Sequence, residues 1–182
     1  GFVTPLIGRQ DVELVLRSGA QSDLIRGLEA LSLDIVLTNL TPARDAASPY
    51  LVQALTEQPV SIVGFSRSAV TPSSLADLLT SEPLILPTPE SGLRAAFDGL
   101  VERLGIAPHI AAEADDMATL RLLARAGAGL AVLPPIVVQD ELSSGLLVEH
   151  ARLDGITERF LAVTLRRRFP NPLVAEVLNF AG

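Results

Sequence analysis

ADDMATLRLLARAGAGLAVLPP, residues Ala114 to Pro135, encodes a capped helix, a glycine turn and a buried strand in one run, and the fold is read outward from it. Asp115 or Asp116 can accept hydrogen bonds from the free amides of the next turn. Met117, Leu120 and Ala124 recur at helical spacing, and Gly127 stops the helix. Leu130 to Leu133 is a short apolar strand. Pro134 and Pro135 end it, since neither has an N–H to donate. Gly127 and Gly129 do not read as a dinucleotide loop, which runs strand, glycines, helix so that phosphate meets a helix N-terminus; here the order is reversed. They mark a close helix-to-strand connection, and the stretch describes a ligand cleft rather than a catalytic centre.

On either side, helical and strand-like segments alternate. VELVLR at Val12 to Arg17 predicts a strand, followed by a helix with Leu24, Ile25, Leu28 and Leu31 on one face. LDIVLT at Leu33 to Thr38 has the near-continuous apolar character of a parallel strand covered on both sides. Residues 39–49 are polar and read as a loop, and Val60 to Phe65 returns to strand. A short helix is expected to open at Thr71, Pro72 and the Ser73/Ser74 pair, before a buried strand from Pro83 to Leu86. Ser91 then caps an amphipathic helix carrying Leu93, Phe97, Leu100, Val101 and Leu104 inward, and Gly105 stops it. HIAAE from His109 predicts a strand. Pro135 to Leu142 reads as helical, Leu146 to Glu149 as an edge strand and Phe160 to Leu165 as another, with Asn171-Pro172 capping a last helix. Such alternation implies α/β layers with parallel sheets. The connections near Ser66 to Val70 and Leu153 to Glu158 point to two chain crossings, one lobe being built from both ends of the chain and the other from its middle.

Composition excludes whole classes of function. The 182 residues, 48% hydrophobic, suffice for one large domain or two small lobes, and no apolar run reaches the roughly 18 residues of a membrane span. There is no Cys, and all 14 basic residues are Arg, which removes thiolate nucleophiles, zinc–sulfur sites, Schiff-base lysines and phosphate-loop lysines together. No G-x-S-x-G elbow is present. His109 and His150 lie far apart and outside any metal-ligand spacing, so they read as a strand-edge or surface imidazole each. No cofactor, no metal and no catalysis are expected. A net charge of −7 argues against nucleic-acid binding by these residues, and the one basic cluster, Arg166 to Arg168, reads as a solvated strand end or an interface edge.

Four segments then carry a likeness: DVELVLRSG at Asp11 to Gly19, LEALSLDIVL at Leu28 to Leu37, LADLLTSEPLILP at Leu75 to Pro87, and ATLRLLARAGAGLAVLP at Ala118 to Pro134. In this order and spacing the chain resembles the effector-binding domain of LysR-type transcriptional regulators. Within that family, the stretch from Glu113 to Pro135 with the DELSSG turn is similar to the regulators of sodium/proton antiporter genes. The resemblance implies two Rossmann-like α/β lobes of the periplasmic-binding-protein type 2, with a small-molecule cleft between them. On this reading one lobe comprises residues 1–66 and 158–182 and the other residues 67–157. It also implies a cytoplasmic homo-oligomer, dimer or tetramer, assembled through lobe faces, that reaches promoter DNA only through an N-terminal winged helix-turn-helix not contained here. Members open the domain with a strand and a longer first helix, whereas this sequence starts inside what looks like that helix, at Phe2 to Ile7. The first strand, central in its sheet, is therefore expected upstream.

In open α/β sheets ligands sit outside the carboxyl ends of the strands. The effector-binding candidates are Ser18 after the first visible strand, Asn39 after LDIVLT, Phe65 and Ser66 at a hinge, Thr88, Pro89, Glu90 and Ser91 after LILP, and Asp115 with Asp116 after HIAAE. Helix N-termini favour an anionic effector while Glu90, Asp115 and Asp116 oppose one, so the sequence leaves the charge open. An exported solute-binding protein on the same scaffold is the alternative, an enzyme a more distant one.

Overall fold

The computed structural model of the chain describes residues 3–42, 49–66 and 74–180 and divides into two compact units, Gly1–Glu57 with Arg159–Gly182, and Gln58–Glu158. The helices are α1 (Gln21–Glu29), α2 (Leu75–Ser81), α3 (Gly92–Leu104), α4 (Met117–Arg125), α5 (Gln139–Ser143) and α6 (Pro172–Phe180). The strands are β1 (Val36–Thr38), β2 (Tyr50–Gly64), β3 (Leu84–Pro87), β4 (Ile110–Ala114), β5 (Leu130–Leu133) and β6 (Val148–Leu165). Among the described residues no helix is long and apolar enough to cross a membrane.

The second unit, Gln58–Glu158, is a sheet with a helical layer on each face, and the two-residue period of its strands shows why. Leu84 and Leu86 of β3 join Val60 and Ile62 of β2 and Val132 of β5 in one cluster with Leu78, Leu79, Leu93 and Phe97, which come from α2 and α3. Ile85, Val63, Ala131 and Leu133 point to the other face, into a cluster with Leu120 and Ala124 of α4 and Val138. A strand wetted on neither face has to read as an unbroken apolar run, as LILP and LAVL do. Strand order in this unit is β6-β2-β5-β3-β4. β3 runs parallel to β4 and β5, and β2 antiparallel to β5 with Val63 opposite Ala131.

The local signals are realised where they depend on neighbouring residues alone. The Ser91 and Asp116 side chains cap α3 and α4, accepting from the amides of Leu93 and Thr119, and Gly105 ends α3 at φ 64°. Asn171 Oδ1 accepts from Leu173 N at the start of α6. Ser74 caps α2, while Thr71 to Ser73 lie outside the described residues. The tight passage from α4 to β5 also holds: a Cβ on Gly129 would fall inside 3.0 Å of the Pro83 carbonyl oxygen.

Several readings are corrected. Val12 to Arg17 forms no strand and is largely exposed. β1 is three residues long and runs antiparallel to β6, with Leu37 opposite Ala162, so its apolar run is not that of a parallel strand. Leu31 leaves the helical face, being past the end of α1 at φ 60° and 62% exposed. The start reads Thr4–Leu6 as a single 3-10 turn, with Phe2 outside the described residues. The largest difference is continuity: residues 50–64 and 148–165 are single strands, each passing from one unit to the other. The first crossing thus falls at Glu57/Gln58 in mid-strand rather than after Ser66, and the second at Glu158/Arg159. The first unit is held by Leu28, Val36 and Val163, with Leu24, Ile25, Tyr50 and Leu165 packed against them.

Candidate functional site

In the second unit the carboxyl ends of β3 and β4 lie side by side, with Pro87 opposite Ala114. The residues that follow them are Thr88 to Ser91 and Asp115 with Asp116, so the structure gathers six of the predicted residues at one end of the sheet. Thr88 N donates to Ala114 O at 3.1 Å and Ser91 N to Thr88 O at 3.0 Å, which folds the loop into a turn that delivers Ser91 to the start of α3. Thr88 and Ser91 are half-buried, while Pro89, Glu90, Asp115 and Asp116 are exposed.

The chemistry of this end is that of a polar cradle. A helix leaves its first-turn amides unpaired; Ser91 engages only that of Leu93, at 3.2 Å, and a hydroxyl that accepts there keeps its own proton to donate. Asp116 is committed: its Oδ1 accepts from Thr119 N at 2.9 Å and its Oδ2 from the Thr119 hydroxyl at 2.6 Å. The Thr119 hydroxyl, followed by the amides of Thr119 and Ala118, holds the Asp116 carboxyl below the usual aspartate range, outweighing a small opposing effect of burial. Its charge is thereby spent on α4, whereas Glu90 and Asp115 face solvent.

Arg94, which the sequence reading passed over, secures the base of this loop. Its side chain is 11% exposed; Nη1 donates to the Pro87 carbonyl at 3.1 Å and to Glu113, and Nε to Asp98 at 2.8 Å. Burial pulls the guanidinium down, but hydrogen bonds to Glu113 and Asp98 more than reverse this, leaving it above its ordinary value and charged. The one sequence signal was the Arg94/Asp98 pair at i,i+4 on a face otherwise apolar.

Phe65 and Ser66 are not brought to this end. Val63 and Ile85 both stand level with Ala131, but β2 runs the opposite way to β3, so Phe65 and Thr88 are carried apart. Five residue steps at ~3.3 Å separate them by roughly 16 Å along the strands. Phe65 lies instead by Gly127, and its carbonyl is 3.0 Å from His150 Nε2, which gives His150 a structural partner.

Ser18 and Asn39 belong to the first unit, and both are exposed. The turn holding Asn39 is tied to the start of α1 by Gln21, whose Nε2 donates to Leu40 O at 2.6 Å and to Thr38 Oγ1 at 3.2 Å. The same unit contains a cavity of about 440 Å³, lined by Val12 to Arg17 and Ser32 to Leu37 together with Leu24 of α1 and Val174 and Val177 of α6. Among the described residues no group of three or more His, Asp or Glu is placed to hold a metal ion.

Comparison with known proteins places this geometry. Residues 8–182 match the model of the LysR substrate binding domain. The HTH-type transcriptional regulator CbbR of Xanthobacter flavus is 29% identical over 183 residues, covering 94% of this chain and 52% of its own length, so the chain spans about half of that relative. The apo regulatory domain of HypT from Salmonella typhimurium superposes with a TM-score of 0.71 at 14% identity, covering 97% of this chain and 84% of that one. The effector-binding domain of QuiR, in complex with shikimate, gives 0.64 at 18% identity, covering 90% and 77%. The match over nearly every residue, and the shared fold, show that the chain belongs to the LysR substrate-binding domain family.

Proposed function

We propose that this chain is the ligand-sensing part of a transcriptional regulator, and that the paired ends of β3 and β4 receive a small polar effector. The observation that carries the reading is the convergence of Thr88, Ser91 and the α3 amides over a loop whose base Arg94 fixes. Hydroxyl and amide donors suit carboxylate or hydroxyl oxygens of a ligand, and Glu90 and Asp115 can accept from its hydroxyls. Resemblance to CbbR, an HTH-type regulator, supports the regulatory role over that of an exported solute carrier.

On this reading the rest of the polypeptide supplies a winged helix-turn-helix for promoter DNA, and the protein works in the cytoplasm as a homo-oligomer without catalytic activity. The free energy of switching comes from the effector's preference for one conformation over another.

Titration calorimetry and thermal shift against a panel of small hydroxycarboxylates, shikimate included, test the site. At least one compound is expected to bind and raise the melting temperature, with the effect reduced in Thr88→Val. Absence of binding across the panel, with unchanged small-angle scattering, counts against the reading.

A further inference from the structure

The sequence holds one methionine and no cysteine, so Met117 carries its only sulfur atom. Met117 is the first residue of α4, directly after the Asp116 cap, and lies past the carboxyl end of β4, the outermost strand of the sheet. Among the described partly buried apolar side chains it alone packs against both cores of the second unit, the one beneath α2 and α3 and the one beneath α4. A residue within a strand meets one face of the sheet, whereas a side chain beyond the strand's end can touch both. An unbranched thioether with three rotatable bonds suits that place, because it can bend to fit two surfaces at once. We propose that Met117 is a reversible oxidation site, through which a hydroperoxide loosens the start of α4 and the strand ends beside it.

Met117 is half-buried, so a molecule little larger than water can reach it while the fold stays intact. The sulfur lone pair attacks the peroxide, and an S–O bond forms as the O–O bond breaks. The departing hydroxide takes up the proton left on the transferred oxygen and leaves as water. Sulfur is oxidised by two electrons and the peroxide reduced by two. The product is a sulfoxide, polar and chiral where the thioether was apolar. The side chains of both clusters are hydrocarbon and offer its oxygen no donor, and a polar group without a partner is disfavoured there. The oxidised side chain therefore withdraws from two cores at once. Next to it in the chain stands Asp116, whose bonds to Thr119 cap α4, and two residues further back Ala114 O, which accepts from Thr88 N. With no second sulfur in the sequence, oxidation gives one product at one place. Methionine sulfoxide reductases return the thioether, which makes the change a switch rather than a lesion. The inference does not depend on which ligand the Thr88 to Ser91 end receives.

Hydrogen peroxide followed by peptide mass spectrometry tests it on the chain itself. One oxygen is expected to add, at Met117, with the melting temperature falling by roughly 5 °C. Amide exchange is expected to quicken at Met117 to Leu120 and at Thr88 to Ser91, and the two reductases, one for each sulfoxide epimer, to restore both readings. Met117→Leu keeps the volume and the apolar contacts without the sulfur, and should melt at one temperature before and after peroxide. Met117→Leu combined with Leu122→Met moves the sulfur to a side chain 65% exposed on α4, where oxidation should leave the melting temperature unchanged. The inference is overturned if Met117 resists peroxide that oxidises the relocated sulfur, or if it oxidises with no change in melting or exchange. A loss of stability that persists in Met117→Leu, or that the reductases do not reverse, overturns it equally. Effector binding is measured on the unoxidised chain, so neither result stands in for the other.

Discussion

The amide of Leu130 donates to the carbonyl of Pro83 at 2.8 Å, and that same carbonyl lies against the missing side chain of Gly129. The entry of β5 beside β3 is therefore possible only while residue 129 carries no Cβ. Gly129→Ala is expected to cost about 1–3 kcal/mol, since the obstructing atoms are main chain and cannot turn aside. Gly19→Ala, where nothing lies within 4 Å, is the control and should change stability little. The shift of the urea midpoint at constant slope measures both.

Arg94→Met retains the length of the side chain and removes every donor. It strands the Pro87 carbonyl and two carboxylates, with an expected cost of about 1–3 kcal/mol. Amide exchange should accelerate at Thr88 to Ser91 while the centre of β5 stays protected. Uniform acceleration throughout the second unit would show instead that Arg94 acts on its core.

Asp116→Ala uncaps α4, for an expected loss of about 1 kcal/mol, and Asp116→Asn, which keeps a capping oxygen, should lose less. Denaturation of the two variants side by side decides it. Equal losses would mean that the charge rather than the hydrogen bond is the source.

Glu141 is 4% exposed, with Oε1 at 2.8 Å from Arg121 and 3.5 Å from Arg125, and with Oε2 unpartnered among the described residues. Burial pushes its carboxyl up, but Arg121, then the backbone and Arg125, outweigh this and leave it below the ordinary glutamate value of 4.5. A lowered value in the folded state means the stabilisation is complete above that ordinary value and fades as pH falls through the lowered one. Wild type is expected to exceed Glu141→Gln in melting temperature at neutral pH, and the gap to close on acidification. A gap independent of pH would assign the effect to shape rather than charge.

What the sequence made legible divides by range. The cap at Ser91, the stop at Gly105 and the strand LAVL depend on a few adjacent residues and stand where they were expected, the strand expected at Pro83 to Leu86 stands one residue on at Leu84–Pro87, and of the two aspartates offered for α4 it is Asp116 that caps. The extent of β2 was hidden by Gln53, Thr56, Glu57, Gln58 and Pro59, which look like a loop until a ladder with distant residues holds them extended. β6 was broken in two on paper by Asp154 and Gly155, yet Gly155 takes up φ 76° within the strand. VELVLR erred in the other direction: the propensity is there, and among the described residues no strand pairs with it. At the candidate site the loop residues were visible because they follow strands. Phe65, expected at a hinge, stands apart from them because β2 runs opposite to β3, a direction that cannot be read from its composition, and Arg94 was missed because its partners at Pro87 and Glu113 are set by tertiary contact.

The moored base of the Thr88 to Ser91 turn has an evolutionary side. Arg94 grips main-chain oxygen at Pro87 and a carboxylate on the adjoining strand, so the crest of the turn, Pro89 and Glu90, carries little of the architecture. Such a crest is free to drift. New chemical tastes can be tried there, one residue at a time, by a scaffold that keeps its shape while they change.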